Sequence, residues 1–327
     1  MDFKLIDTNG IKVNVAIEGS GPLIICVHGF PESWYSWRHQ ISFLSNAGYT
    51  VAAIDVRGYG KSDKPYDVDQ YSLKKISNDI IGIIDALNFK TAVLIGHDWG
   101  GPIVWHTAAL NEDRITAVAG LSVPYFQRLN VTPIEIFKSL YSDRFFYQIY
   151  FQDEGIAESE FESDVRKFLK LMYVNSDHRG MSRNKESGFM TNKDKDGKFL
   201  EGMTDFDSFP DWFTSTDLDF LVEEFEESGF RGPLNRYRNY ELDFKEMISL
   251  EGKKIKQPTA FLAGDLDAVN FFVLPDGYKD SNHLRENIAP QYENLLDVVL
   301  LKGSGHWVQQ EKPAEVNEFL LNFLKSL

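Results

Sequence analysis

Short apolar runs that neither alternate with polar residues nor reach helical length recur along this chain, at 23–27, 51–54, 92–95, 118–123, 260–263 and 298–301. Such runs suit strands buried on both faces, the situation of a parallel sheet. Parallel neighbours need a crossover between them, and helical periodicity fills several of the gaps. Leu73, Ile76, Ile80, Ile83, Ile84 and Leu87 recur at helical spacing behind Ser72 as N-cap, and Pro313 begins a last helix through Val316, Phe319, Leu320 and Leu324. Ahead of them, alternating segments around Phe3 to Ile6 and Ile11 to Ile17 meet at Asn9-Gly10, a hairpin pair. Strand alternating with helix predicts an α/β fold, a mostly parallel central sheet flanked by helices.

From about Tyr125 to about Leu250 that rhythm stops: no clear strand is visible and aromatic residues are dense. Helical stretches are expected at 133–151 and 216–227, with Gly229 as a C-cap, and 177–202 reads as a long surface loop. The expected organisation is an α/β core, residues 1–124 and 251–327, with a helical cap, residues 125–250, inserted into it.

Lysine plus arginine total 34 against 49 aspartate plus glutamate, a net charge of −15, which disfavours nucleic acid and anionic membrane surfaces. The one cysteine, Cys26, lies in an apolar run, where a buried strand thiol is expected rather than a nucleophile, disulfide or metal ligand. No signal peptide is visible and no apolar run is long enough to span a bilayer, so a cytoplasmic protein without membrane insertion is expected.

The strongest local signal is Gly96-His97-Asp98-Trp99-Gly100-Gly101, which follows a strand and precedes a helix expected at 102–110. Small residues on both sides of a central side chain permit the sharp strand-to-helix turn that exposes a nucleophile. Here that residue is Asp98. A serine attacking a saturated carbon would leave an ether that water does not readily cleave. A carboxylate leaves an ester, whose carbonyl water attacks. Asp98 in this turn therefore points to displacement at an sp³ carbon followed by hydrolysis of the enzyme's own ester.

The second step needs a base. Among seven histidines, His306 is best placed, in Gly303-Ser304-Gly305-His306-Trp307 after the last apolar run. Gly264-Asp265-Leu266-Asp267 supplies two candidates for the acid that orients it, giving the chain order nucleophile, acid, histidine. His28-Gly29-Phe30-Pro31 ends the 23–27 strand, where the Phe30 amide would pair with that of Trp99 as an oxyanion hole.

These segments resemble those of the soluble epoxide hydrolases of the α/β-hydrolase fold, over nearly the full length. The similar stretches are His28-Gly29-Phe30-Pro31-Glu32-Ser33-Trp34 with Trp37-Arg38-His39-Gln40, Asp55-Val56-Arg57-Gly58-Tyr59-Gly60-Lys61-Ser62-Asp63, the turn around Asp98, and His306 with Gln310-Glu311-Lys312-Pro313. The resemblance places the third triad member on Asp267 rather than Asp265. It places two cap phenols that bind the epoxide oxygen on Tyr147, in Tyr147-Gln148-Ile149-Tyr150-Phe151-Gln152, and Tyr237, in Asn235-Arg236-Tyr237-Arg238-Asn239. Arg236 departs from the aromatic residue often found before that tyrosine. His28 and Glu32 are expected to bind substrate or water, Glu32 by helping to hold the hydrolytic water and the histidine. Phe126, Phe137, Phe145, Phe146 and Phe151 are candidates for an apolar pocket wall.

The implied reaction takes a small apolar epoxide and water to a vicinal diol without metal or organic cofactor. Haloalkane dehalogenases share the aspartate, and Trp99 would suit a halide, but they usually place asparagine where Phe30 stands. Fluoroacetate dehalogenases tend to have arginine in place of Trp99. A non-catalytic binding protein on the same fold is the alternative from another class.

Overall fold

The apolar runs pair into one eight-stranded sheet in a computed structural model of the chain, which describes residues 1–187 and 193–327. The strands are β1 (Asp2–Thr8), β2 (Ile11–Gly19), β3 (Leu23–Val27), β4 (Thr50–Ile54), β5 (Ala92–His97), β6 (Ile115–Leu121), β7 (Thr259–Gly264) and β8 (Leu295–Leu301). Their order is β1-β2-β4-β3-β5-β6-β7-β8. β2 is antiparallel to both its neighbours, and every pairing from β4 to β8 is parallel. Every residue of β3, β4, β5 and β7 is buried, which is why their sequences show no alternation.

Helices cover both faces. α1 (Arg38–Asn46) packs Ile41 and Leu44 on the face that carries Ile24, Cys26 and Ile95. α2 (Leu73–Ala86) and α3 (Gly100–Leu110) bring Ile80, Ile83 and Val104 to the other, against Ile25, Leu94 and Val118. Burial pushes the Cys26 thiol well above its ordinary value, so it is an inert core residue.

Between β6 and β7 the chain leaves the sheet. It forms α4 (Pro133–Leu140), α5 (Tyr147–Tyr150), α6 (Ile156–Glu162), α7 (Val165–Ser176), α8 (His178–Ser187), α9 (Ser215–Ser228), α10 (Arg231–Tyr237) and α11 (Tyr240–Glu246). After β7 come α12 (Ala268–Val273), α13 (Ser281–Ile288), α14 (Val308–Glu311) and α15 (Pro313–Lys325). Among the described residues no helix is long and apolar enough to cross a membrane.

Three expectations are corrected here. The single helical stretch at 133–151 is two helices. The segment between them is extended enough for Arg144 to bridge Asp194 and for the Phe145 amide to donate to the Lys193 carbonyl, a long-range pairing that helical periodicity cannot reveal. The loop expected at 177–202 contains α8. Its start is capped by Asp177 Oδ1, which accepts from the amides of Arg179 (2.9 Å) and Gly180 (2.8 Å), and Met181 and Asn184 turn inward from an otherwise polar helix. The rest of that expected loop includes residues 188–192, which lie outside the described residues. Finally, β6 ends at Leu121, and Ser122 beyond it adopts φ 73°, which breaks the strand.

A buried ion pair braces the loop after β4. Arg57 donates to both carboxylate oxygens of Asp79 on α2 (2.6 and 2.5 Å) and to the Gln70 carbonyl, with both side chains almost fully buried. Removing one partner leaves a charge in the interior without compensation. Asp79→Ala is expected to lower unfolding stability by about 3–5 kcal/mol, read as a shift of the urea midpoint at unchanged slope.

Candidate active site

The turn after β5 is as tight as its glycines predict. A Cβ on Gly96 would lie 2.2 Å from the Gly100 carbonyl oxygen, and one on Gly100 would lie 2.0 Å from that of Val27. Only hydrogen fits at either place. Asp98 sits between them at φ 50°, a conformation unusual for a residue with a side chain, and its carboxylate emerges beyond the carboxyl ends of β3 and β5. There the order β4-β3-β5 marks the reversal of strand sequence at which open α/β sheets bind ligands.

Asp98 Oδ1 accepts the Phe30 amide at 2.8 Å, and Oδ2 lies 3.4 Å from His306 Nε2. On the far side of the ring, His306 Nδ1 is 3.0 Å from Asp267 Oδ1. Asp267 comes from the turn after β7 and Asp265 does not join it, since Asp265 pairs with the Gly303 amide and with Lys302 instead. The Trp99 amide opens α3, where the first N–H groups have no partner within the helix.

The charges in this cluster hold one another. Burial would raise the carboxyl of Asp98, but the His306 hydrogen bond and charge, the His97 charge and the Phe30 amide keep it below the ordinary carboxylate range. Burial likewise opposes charge on Asp267, and His306 and Ser122 outweigh it. For His306, burial works against the cation, yet Asp267 and Asp98 on either side hold it well above the ordinary imidazole value. The resting arrangement is an imidazolium between two carboxylates.

Tyr147, at the start of α5, and Tyr237, at the end of α10, line the same cavity as Asp98, His306 and Phe30. Their rings lie 6.1 Å apart. Burial first, and the Asp98 charge second, push both phenols up, so both are neutral donors at physiological pH. Gln148 Nε2 donates to Tyr147 Oη at 2.7 Å, which leaves the phenolic hydrogen free to point elsewhere. Trp99 meets Tyr237 edge-on at 5.2 Å. Arg236 is buried with its guanidinium 4.8 Å from the centre of the Trp99 ring, paired with Asp243 and donating to the Tyr71 carbonyl. A cation thus occupies the place of the usual aromatic and lies over the Trp99 ring.

Of the proposed wall, Phe145, Phe146 and Phe151 line the cavity, joined by Met172, Phe199 and Phe272. Phe126 is half exposed and Phe137 packs behind Phe146 and Tyr240, so neither reaches the lining.

Two expectations about the oxyanion segment change. His28 does not face the cavity: Nδ1 donates to the Gly29 carbonyl (2.8 Å), Nε2 accepts the Val56 amide (3.0 Å), and burial lowers its pKa. It is a neutral brace between two loops. Glu32 is fully buried, off the cavity lining, and accepts from the Gly29 backbone amide (2.7 Å), His97 Nδ1 (2.8 Å) and the side-chain Nε2 groups of Gln309 and Gln310. It touches the site through others.

Two residues were not foreseen. His97 Nε2 donates to the His306 carbonyl at 2.8 Å, so the Glu32–His97 pair supports the loop that carries His306. Ser122 Oγ donates to Asp267 Oδ2 at 2.5 Å and lies 3.1 Å from His306 Nδ1. His97 had a signal, since it adjoins Asp98 in the motif. Ser122 had none, because a serine after a strand is common and only its φ and its neighbours single it out.

Residues 22–313 match a family described as the alpha/beta hydrolase fold. Epoxide hydrolase A of Mycobacterium tuberculosis is 39% identical over 326 residues, 99% of this chain and 97% of that protein. Epoxide hydrolase 2 of Siraitia grosvenorii is 35% identical over 327 residues, 99% of this chain and 98% of that protein. Among solved structures, an epoxide hydrolase from an endophytic Streptomyces superposes with a TM-score of 0.93 at 39% identity, covering 99% of this chain and 95% of the other. Epoxide hydrolase A from Mycobacterium thermoresistibile gives 0.91 at 37% identity, covering 100% and 98%. With two phenols lining the same cavity as a carboxylate on the strand-to-helix turn, these likenesses over nearly the whole length carry one conclusion: the chain is a member of the α/β-hydrolase family and, within it, of the epoxide hydrolases.

Proposed function

We propose that this hydrolase converts an epoxide and water to a vicinal diol through an ester on Asp98. The observation that carries the reading is the arrangement of one ionised carboxylate and two neutral phenols around a single apolar cavity, with His306 against that carboxylate. Oδ1 of Asp98 is held by the Phe30 amide, so Oδ2 attacks an epoxide carbon while the C–O bond breaks. Tyr147 and Tyr237 donate to the departing oxygen, and the proton it takes is replaced from His306. Esterification removes the Asp98 charge, one of the two that hold the imidazolium, and with its proton passed to the phenols His306 is neutral and able to accept another. Water then attacks the ester carbonyl, His306 takes its proton, and Asp267 keeps the ring oriented. The Phe30 amide, already on the oxygen that becomes the oxyanion, stabilises the tetrahedral stage with Trp99. The bond between the Asp98 acyl carbon and the diol oxygen then breaks, that oxygen takes the second proton of the attacking water, and the diol leaves with the carboxylate and imidazolium restored.

The dehalogenase reading lacks a donor at Phe30, whose side chain is buried among Phe151, Phe161, Phe168 and Tyr237. A chloride-release assay beside an epoxide-to-diol assay separates the two. The aromatic lining supports apolar epoxides as substrates, and the acidic surface and buried lone thiol support a cytoplasmic setting.

Three outcomes are expected. In a single turnover in ¹⁸O water, peptide mass analysis finds label in the Asp98 carboxylate; label confined to the diol would mean direct attack by water and would sink the covalent route. Tyr147→Phe and Tyr237→Phe should each slow ester formation by about ten- to a hundredfold, and the double variant by up to about 10⁴. A rapid-quench measurement reads this, and unchanged ester formation in the double variant would remove the phenols from the mechanism. The two steps also differ in pH dependence. Ester formation needs Asp98 ionised, and persists to pH below the usual carboxylate range. Ester hydrolysis needs a neutral imidazole, and Asp267 beside the ring still favours the cation, so hydrolysis fails as pH falls through the raised imidazole range and the ester accumulates in acid.

A further inference from the structure

Elements other than β8, the strand that leads to it, hold the His306 backbone. The His306 amide donates to the Ser176 carbonyl at the end of α7 (2.9 Å), and its carbonyl accepts from His97 Nε2. The amides on either side both go to one side chain, Glu311. Gly305 N–H donates to Oε2 (2.9 Å) and Trp307 N–H to Oε1 (3.1 Å). The same Oε2 accepts the His178 amide and lies 3.1 Å from His178 Nδ1, both at the start of α8. The Glu311 side chain is almost fully buried, 1% exposed, so these donors stand in for the water it lacks.

The contact between the histidine loop and the α7–α8 junction is close. A Cβ on Gly305 would fall 2.4 Å from the Asp177 carbonyl carbon and 2.5 Å from the His178 nitrogen. Trp307 stacks on Tyr173 of α7 with ring centres 4.3 Å apart and planes 8° from parallel, and its indole N–H donates to the Tyr173 carbonyl. The His306 loop therefore rests on the helical insertion as much as on the sheet.

We infer that Glu311 is a positioning residue whose carboxylate clamps the backbone on both sides of His306 and joins that clamp to the α7–α8 junction through His178. It touches neither substrate nor Asp98. The consequence is that the hydrolytic base is held in register only while the α7–α8 junction is seated against its loop, so the second step depends on that contact as the first depends on the phenols that the insertion carries. Asp98 has its own support in the turn after β5 and the Phe30 amide, and the phenols donate to the epoxide oxygen, so the clamp bears less on its attack than on the hydrolysis that His306 drives. A carboxylate is required because every partner is a donor: a carboxamide would turn its own N–H groups toward backbone amides or the His178 ring.

This inference rests on the two-step reading above, and its test separates the two. Full-length parent, Glu311→Gln and His178→Ala proteins are compared in single turnovers with styrene oxide, timing ester formation and ester loss. Glu311→Gln should slow ester loss about tenfold or more while ester formation changes less than about threefold, so that adduct accumulates. His178→Ala, at a partly exposed position that tolerates truncation, should slow the same step to a smaller degree. A merely structural role would depress both steps together, and that result, or ester loss at the parent's rate in folded Glu311→Gln, overturns the clamp. If Glu311→Gln does not fold, ester loss at the parent's rate in His178→Ala overturns it. The low-field proton NMR signal of His306 Nδ1–H, hydrogen-bonded to Asp267, is read without any epoxide. It should shift or broaden in Glu311→Gln, or in His178→Ala where that variant alone folds, and an unchanged signal refutes the inference. A parent that forms no ester would defeat the reading of the reaction, while this signal still decides the role of Glu311.

Discussion

Three ionisable groups taken out of water together, Asp98, His306 and Asp267, set the terms for everything around them. Each alone would lose its charge on burial, because the interior solvates ions poorly. Side by side, with the imidazole 3.4 Å from one carboxylate and 3.0 Å from the other, they remain ionised. The cluster still carries one negative charge more than positive, and that excess is spread over donors: the Phe30 amide on Asp98, and the Ser122 hydroxyl and Val269 amide on Asp267. The strained backbone of Asp98 and Ser122 belongs to the same requirement, since both residues leave their strands at positive φ to aim a polar side chain into the cluster. A balance of this kind changes when one charge disappears. In the proposed cycle, that is the physical basis for His306 holding a proton while Asp98 is ionised and accepting one once Asp98 is esterified.

The sheet supplies this cluster, and the insertion between β6 and β7 supplies what faces it. Tyr147 and Tyr237 come from two separate short helices whose placement depends on aromatic packing. Phe151 lies 4.9 Å from Tyr237 and 5.5 Å from Tyr147 and also meets Phe30. One aromatic side chain therefore touches both phenols and the residue whose amide holds Asp98. The enclosure also strengthens each electrostatic contact inside it by excluding water. Arg236 adds a polar fastening to this apolar seam, through Asp243, the Tyr71 carbonyl and the face of Trp99.

Behind the site, buried polar groups connect elements distant in sequence. Asp79 on α2 holds Arg57, the neighbouring Val56 amide donates to His28, and His28 donates to Gly29 in front of Phe30. Glu32 reaches from the same segment to His97, and His97 to the carbonyl of His306. Residues that look like candidates for chemistry because they are charged or titratable, His28 and Glu32 among them, serve here to fix the loops that carry Phe30 and His306.

The chain's local chemistry was enough to specify much of this. Unbroken apolar runs imply strands buried on two faces, and β3, β4, β5 and β7 are just that. Glycines around Asp98 imply a tight strand-to-helix turn, and the space left by their missing side chains is filled by backbone. These features were legible because they depend on neighbours a few residues away. The polar helix α8 was not legible, since only Met181 and Asn184 of its described side chains turn inward and its cap comes from Asp177 outside the pattern. Nor were the roles of Ser122, His97 and Glu311, each an ordinary residue whose partner lies far along the chain or at the end of another element. Composition and spacing determined which groups could do the chemistry. Tertiary structure decided which were buried together, because desolvation and hydrogen bonding depend on distance in space, and those distances exist only once the sheet and its insertion have closed on each other.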